Sequence, residues 1–165
     1  MTDGVMLHPA IARIALAALG PESGSSGEQP IDRSVQAGAL DDILVRSGPD
    51  GLLGAGRHLD VVAGDPIVLA LLNSDCPAVL LHKIERLNRY LHSHHRHRVL
   101  GLEVDQVELE HVSTAATPPT PVESLFVCGL YLELFSRIGC VGLSCAFPDS
   151  EAGDRDVYQD GRPSG

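Results

Sequence analysis

The fold is decided by residues 77–112, which read PAVLLHKIERLNRYLHSHHRHRVLGLEVDQVELEHV. In the first part of this stretch, apolar residues recur at positions i, i+4, i+7 and i+11, which is the stripe of an amphipathic helix. These residues are Leu80, Ile84, Leu87 and Leu91. The last part alternates apolar and polar residues, as the strands of a half-buried hairpin do. The change of period predicts a helix and a hairpin, joined by the histidine-rich segment 92–97.

The register of the hairpin depends on the length of its loop. A two-residue loop at 105–106 predicts the pairs Val104 with Val107, Leu102 with Leu109, and Leu100 with His111. This register aligns the apolar faces, but it also places Glu103 opposite Glu108, where the like charges repel. Asp-Gln is moreover a poor hairpin turn, so a longer loop is the alternative.

Other helix boundaries are marked by proline, glycine and capping residues. Asp65-Pro66 starts a short apolar helix that ends near Asn73, and Thr120-Pro121-Val122-Glu123 is a capping box. The remaining predicted elements are helices at 8–19, 35–46, 50–63 and 120–138, a Gly/Ser-rich linker at 22–30 and a strand at about 142–147. We therefore expect an α+β fold, mostly helical, with a small antiparallel sheet formed by a hairpin at about 98–112 and that strand.

Composition limits the classes of protein that fit. With 165 residues and 44% apolar residues, the chain is long enough for one globular core. Its net charge of −10 opposes non-specific binding of nucleic acid, because such binding depends on neutralising phosphates. No apolar run is long enough to cross a bilayer, and the N-terminal segment lacks the basic region of a signal peptide. We expect a cytoplasmic protein whose four cysteines, Cys76, Cys128, Cys140 and Cys145, are free thiols.

The histidine cluster is the most prominent candidate for a binding site, since five of the eight histidines lie between positions 82 and 97. The preferred interpretation is structural, because cationic side chains at a helix C-terminus interact favourably with the helix dipole. Contact with a ligand is the second interpretation. The third is a metal or haem site formed by His92, His94, His95 and His97, since imidazoles bind Zn, Ni, Cu and haem iron.

No catalytic signature is present. The chain contains no G-x-S-x-G, H-E-x-x-H, P-loop or G-x-G-x-x-G pattern. The cysteines form no C-x-x-C pair that would indicate a zinc or redox site. We expect a non-enzymatic protein with no cofactor.

Several segments resemble the sensor region of AraC-type transcriptional regulators. The resemblance lies in AVLLHKIERLNRYLHS (78–93), in HRV (97–99) with the hairpin, in PVESLFVCGL (121–130) and in IGCVGL (138–143). It covers about residues 36 to 149. It implies a sensor domain that binds a small effector, forms a homodimer and controls a following DNA-binding domain with two helix-turn-helix units. No such units occur in these residues.

The resemblance sets the expected organisation of the chain. Residues 1–34 are expected to form an N-terminal helix and linker, 35–149 the sensor domain, and 150–165 a charged, flexible tail that leads to a DNA-binding domain absent from these residues. Polar groups should converge where the helix that ends at 91 meets the hairpin. The expected ligand contacts are Tyr90, His92, Arg96 and His111. A metal or haem sensor and a pure interaction module that dimerises through the apolar helix 120–138 are the alternatives.

Overall fold

The computed structural model describes residues 6–20, 31–92, 94–114, 116, 118–147, 158–159 and 162–163. The helices of the described part are α1 (Pro9–Leu19), α2 (Arg33–Gly54), α3 (Pro66–Leu72), α4 (Pro77–Leu91) and α5 (Pro121–Arg137), with a 3-10 helix (Ala55–Val62) between α2 and α3. Its strands are β1 (Met6–Leu7), β2 (Ile31–Asp32), β3 (His95–Leu102), β4 (Val107–Ser113), β5 (Tyr158–Gln159) and β6 (Arg162–Pro163), which pair in sequence order as antiparallel ladders. The predicted α+β class is confirmed.

Capping interactions explain where the helices begin. The Asp65 carboxylate accepts hydrogen bonds from the backbone N–H groups of Ile67 and Val68, at 2.9 and 3.3 Å. At the start of α5, the Thr120 hydroxyl accepts the N–H of Glu123, whose carboxylate in turn accepts the N–H of Thr120. The predicted capping box is therefore confirmed. These side chains satisfy N–H groups that have no partner inside the helix.

Helix α2 is interrupted near its middle. Gly48 has φ 67° and ψ −169°, so the helical path breaks there and restarts at Pro49. Glycine suits this position because it has no Cβ to clash at positive φ. The predicted helix end at Ser47-Gly48-Pro49 is thus a kink, after which a further helical turn and the 3-10 helix follow.

The hairpin uses the longer loop, and the two-residue register is wrong. Leu102 pairs with Val107 and Val99 with Leu109, while the ladder shifts by one residue at Leu100. This bulge changes which face of β3 meets the core. Leu100, the extra residue of the bulge, is 45% exposed, and Leu102, which lies beside the loop, is 46% exposed. Val99, Val107 and Leu109 pack against the core in their place.

Two further predictions are corrected at the C-terminal side. Residues 142–147 form no strand, since the backbone after α5 continues as an irregular segment. This segment folds back onto α5, and Cys128 forms a disulfide with Cys145 across a sequence separation of 17 residues. The expectation of four free thiols was wrong for this pair. Cys76 and Cys140 are free.

The hydrophobic core joins α1 to the rest of the chain. Ile14 in α1, Leu40 in α2 and Phe126 in α5 are almost completely buried in the same apolar cluster. The predicted linker at 22–30 and most of the predicted tail lie outside the described residues, so the proposed division of the chain stays a prediction. None of the described helices combines the length and apolar character needed to span a membrane.

Helix α5 approaches α2 and the 3-10 helix through glycines. A Cβ atom on Gly129 would lie 2.5 Å from the carbonyl oxygen of Leu53 and 2.9 Å from that of Leu52. A Cβ atom on Gly56 would meet the carbonyl oxygen of Gly129. Backbone atoms cannot move aside as a flexible side chain can, so these glycines set the distance of α5 from α2 and from the 3-10 helix.

Replacing Gly129 by alanine is therefore expected to lower the free energy of unfolding by about 1–3 kcal/mol or more. Gly38→Ala is the matched control, because it lies in α2 with no atom within 4 Å of its virtual Cβ. The control should instead stabilise by about 0.5–1 kcal/mol, since alanine is the better helix former. Urea unfolding of the variants measures both changes. Equal stability of the two variants would contradict the close-approach argument.

Candidate functional site

A cavity of about 80 Å³ lies where α4, the hairpin and α5 meet. Its wall is mostly aliphatic and aromatic, but four histidines and a glutamate also line it. The lining side chains come from α1 to α5 and both long strands: Ile11, Gln36, Leu71, Ile84, Leu91, His92, His95, His97, His111, Glu123, Phe126, Val127, Leu130, Tyr131 and Leu134. A buried apolar cavity that contains a few polar groups is the usual form of a small-molecule site.

Strand alternation brings three of the histidines together. His95 and His97 lie two positions apart on β3, so their side chains point to the same face of the sheet. His97 pairs directly with His111 on β4. The rings of His95 and His97 each make an edge contact with the ring of His111, with centroids 4.9 Å apart. The hairpin thus presents three imidazoles to the cavity.

Asn88 of α4 fixes the position of His97. Its side-chain amide donates to the backbone carbonyl of His97 at 2.9 Å, and its side-chain oxygen accepts the His97 N–H at 3.3 Å. Asn88 is buried, so these bonds satisfy groups that would otherwise lack partners. They attach β3 to α4 at the level of the cavity.

His92 ends α4 and turns the chain into β3. Its Nδ1 accepts the backbone N–H groups of His94 and His95, at 3.1 and 2.9 Å. A ring nitrogen that accepts two N–H donors carries no proton of its own. Neutral His92 therefore carries its proton on Nε2, on the side of the ring away from the turn.

Glu123 and Arg33 form a buried ion pair beside the histidines. The Arg33 Nε donates to Glu123 Oε2 at 2.9 Å, and its Nη2 donates to Glu123 Oε1. The two side chains are only 15% and 7% exposed. The Glu123 carboxylate also lies 3.8 Å from His95 Nδ1. A bidentate guanidinium–carboxylate pair is among the stronger polar contacts in proteins, and it leaves this part of the site with no net charge.

A chain of hydrogen bonds runs from His95 to α5. The distance between His95 Nδ1 and His111 Nε2 is 3.2 Å, and that between His111 Nδ1 and the Ser124 hydroxyl is 2.9 Å. Each imidazole can donate through one nitrogen and accept through the other, so the chain can run in either direction. In a second link, the Tyr131 hydroxyl lies 2.9 Å from His97 Nδ1.

Burial keeps these imidazoles neutral. It lowers the pKa of His92 and His97 to about 3, helped by repulsion from His95 at the first and from His111 at the second. It also lowers the pKa of His95 and His111 to about 4, although the nearby Glu123 carboxylate acts in the opposite direction. Removal from water disfavours the charged form, which explains the common direction. Near neutral pH the cavity wall therefore contains uncharged imidazoles.

Two buried ring nitrogens of the site lack a hydrogen-bond partner within the described part of the chain. Among the described residues, the buried side-chain atoms without a hydrogen bond are His92 Nε2 and His95 Nε2. The two rings stack in parallel with centroids 3.8 Å apart, and both line the cavity. Because an unpaired buried polar group is costly, such atoms are typical of sites completed by another molecule.

The donor atoms of His92, His95 and Glu123 also lie close enough to suggest a cation site. One donor from each of these residues lies within 4.8 Å of the others. The set differs from the predicted His92, His94, His95 and His97: Glu123 replaces two of the histidines. A metal needs the lone pair of a ring nitrogen, yet the Nδ1 lone pair of His92 is occupied by two amides and its Nε2 bears the proton. The present geometry therefore suits a metal poorly.

Of the four expected ligand contacts, the structure places two in the cavity. His92 and His111 line it. Tyr90 is 53% exposed and accepts a hydrogen bond from Arg89 on the surface of α4. Arg96 donates to the backbone carbonyls of His92 and His95, so it braces the turn from outside the cavity.

The cavity residues that were not among the expected ligand contacts had unequal signals in the sequence. Glu123, Val127, Leu130 and Leu134 follow the helical spacing i, i+4, i+7, i+11, which places an acid in line with an apolar stripe. His95 and His97 follow strand spacing, which could have been read if β3 had been extended to position 95. Arg33 gave no signal, because 90 positions separate it from Glu123.

Comparison with protein-family models, with curated proteins and with solved structures yields no match to this chain.

Proposed function

We propose that this chain is the effector-sensing module of an AraC-type transcriptional regulator and that its small effector occupies the histidine-lined cavity. The observation that carries the proposal is the pair of buried, unpartnered imidazole nitrogens of His92 and His95 on the wall of one cavity. The sequence resemblance over about residues 36 to 149 supplies the regulatory context. DNA would be bound by a separate domain with two helix-turn-helix units.

The position of the cavity supports a role in signalling. A ligand acts as a signal only if two conformations bind it with different affinity. Side chains from α1 to α5 and from both strands of the hairpin line the cavity. A ligand that changes the packing there would act on every large element at once.

Filling the cavity tests the proposal. Val127→Phe would occupy cavity volume, so the complete regulator that carries it should no longer respond to its effector in a promoter-reporter assay. Val45→Phe is the matched control, because Val45 is 85% exposed on α2, and it should respond normally. A normal response from Val127→Phe would place the effector elsewhere. A reading frame that encodes no helix-turn-helix units next to these residues would contradict the regulatory context.

Dimerisation is a separate part of the proposal. Sedimentation at several concentrations should reveal reversible association to a homodimer, and a monomer throughout the range would count against it. The proposal also places the protein in the cytoplasm, where transcription regulators act. The Cys128–Cys145 disulfide stands against this part of the proposal, since such bonds are rare in the reducing cytosol.

A metal sensor is the second candidate, and the proximity of donors from His92, His95 and Glu123 favours it. Imidazole and carboxylate are the ligands that zinc and related ions prefer. Equilibrium dialysis against Zn²⁺ with metal analysis separates the two candidates. We expect no stoichiometric metal, because binding would have to release the amide bonds to His92 Nδ1 and the Glu123–Arg33 pair.

A further inference from the structure

We infer that the cavity is built for a small, neutral molecule with one hydroxyl group, which donates to His95 Nε2 and accepts from His92 Nε2. This inference deepens the proposed function by naming the chemical class of the effector. It depends on the protonation of two rings, on the small volume of the cavity and on its apolar wall.

His92 supplies the donor. The backbone amides of His94 and His95 occupy its Nδ1, which leaves the ring proton on Nε2. That N–H is buried and has no acceptor among the described residues. A ligand at this atom must therefore offer an oxygen or another acceptor.

His95 supplies the acceptor. Its Nδ1 faces the Glu123 carboxylate at 3.8 Å and His111 Nε2 at 3.2 Å, and both of these neighbours can accept a proton. With the proton on Nδ1, the ring avoids pointing a lone pair at the carboxylate. His111 then donates through Nδ1 to the Ser124 hydroxyl, so the two hydrogen bonds of the chain run in one direction. The buried Nε2 of His95 is left as a lone pair without a donor.

A hydroxyl group is complementary to this pair because it both donates and accepts. A ketone could satisfy only His92, and a hydrocarbon neither. An anion is disfavoured, because His95 would meet it with a lone pair and the guanidinium of Arg33 is already paired with Glu123.

The remainder of the cavity limits the body of the ligand. Leu71, Phe126 and Leu134 are among the apolar side chains that line it. Its volume of about 80 Å³ is near half that of the roughly 150 Å³ cavity that accepts benzene in an engineered protein. The effector class is therefore a compact alcohol smaller than benzene, of at most about five non-hydrogen atoms.

Three probes of equal shape test this inference: cyclobutanol, cyclobutanone and methylenecyclobutane. Binding is measured by NMR titration of the purified chain, with ¹⁵N-labelled histidine to report the protonated nitrogen of each ring. We expect cyclobutanol to bind at least about tenfold more tightly than methylenecyclobutane, because the hydrocarbon leaves two buried groups unpaired. Cyclobutanone should fall between them. The spectra should show the proton on Nε2 of His92 and on Nδ1 of His95.

His92→Asn provides the specific variant. The asparagine side-chain oxygen can replace Nδ1 as acceptor for the two amides, while the Nε2 donor is lost. Its affinity for cyclobutanol should fall about tenfold and its affinity for methylenecyclobutane should not. His95→Asn keeps a donor near Nδ1 and removes the Nε2 acceptor, so it makes the same test if His92→Asn does not fold.

The outcomes separate this inference from the proposed function. Equal affinity for the three probes would overturn the hydroxyl preference and leave a ligand cavity in place. Stoichiometric Zn²⁺ or tight acetate binding, without binding of cyclobutanol, would also overturn it. If none of the probes binds, while Val127→Phe abolishes the response of the regulator to its effector, the ligand class alone is overturned. A normal response from Val127→Phe, with cyclobutanol bound as expected, would contradict the proposed function alone.

Discussion

Acidification from pH 7 to pH 5 is expected to lower the free energy of unfolding by about 2 kcal/mol for each of the four buried histidines, or roughly 7–8 kcal/mol in total. The folded-state pKa values are about 3 for His92 and His97 and about 4 for His95 and His111. In the unfolded chain histidine has a pKa of about 6.5. The unfolded state therefore binds more protons below this value, and stability is lost as the pH falls.

The expected loss is large compared with the stability of a typical domain, about 5–15 kcal/mol. Glu123 does not compensate for it. Burial is the largest single effect and raises the pKa of Glu123, but the hydrogen bonds from Arg33 and the Thr120 N–H, together with the positive charge nearby, outweigh it and lower the pKa overall. Glu123 contributes to the free energy of unfolding above the pKa that a glutamate has in the unfolded chain. This contribution is lost only at still lower pH, as the pH falls through the pKa of Glu123 in the folded protein. We therefore expect the protein to unfold in weakly acidic solution.

Urea unfolding at pH 7, 6 and 5 measures this dependence. In His111→Gln the amide can replace Nε2 opposite His95, so the fold should survive while the loss between pH 7 and pH 5 decreases by about 2 kcal/mol. His82→Gln is the control, since His82 is exposed on α4, and it should follow the wild-type curve. A wild-type stability that is constant between pH 7 and pH 5 would show that the four imidazoles are not buried as described.

Replacing Arg33 by alanine is the second large effect, with an expected loss of about 3–5 kcal/mol. The variant leaves the Glu123 carboxylate buried without its guanidinium partner, and the Thr120 N–H is the hydrogen-bond donor that remains among the described residues. The unpaired charge, rather than the lost attraction, accounts for most of the effect. It should also raise the pKa of Glu123, because burial would then act unopposed by Arg33.

An exposed pair is the matched control. Arg98 and Glu110 form an ion pair on the hairpin with side chains 65% and 37% exposed, so Arg98→Ala should cost about 0–1 kcal/mol. The double variant Arg33→Met with Glu123→Gln should recover part of the loss, since it removes the unpaired charge and keeps a capping-box side chain. If Arg33→Ala and Arg98→Ala had equal effects, the ion pair at the cavity would not be buried.

Local signals predicted most of the helices. Pro77 and the apolar stripe that ends at Leu91 gave the bounds of α4, and the capping box gave the start of α5. These features succeeded because helix starts and helix faces depend on residues within four positions of one another. The disulfide could not be predicted in this way, since it depends on how the segment after α5 folds back toward Cys128.

The candidate site was predicted only in part. The bulge at Leu100 explains much of the difference between the predicted and the observed inward face of β3. The bulge leaves the Leu100 side chain exposed, and the inward face of β3 holds His95, His97 and Val99. The sequence alone assigned the histidines to the helix end, where charged imidazoles would be stabilised. The structure instead buries four imidazoles that are neutral near pH 7, in a pattern that no local rule indicates.

By itself, the sequence of residues 77–112 determined a helix, a histidine-rich turn and a hairpin, because periodicity and capping act over a few positions. Only the tertiary structure decided which side chains of that stretch meet. His92 and His95 face a cavity because α5 packs across the hairpin and because Arg33, 90 positions before Glu123, neutralises the carboxylate beside them. Contacts of that range depend on how whole elements pack, and packing is settled by the complete core rather than by any one segment.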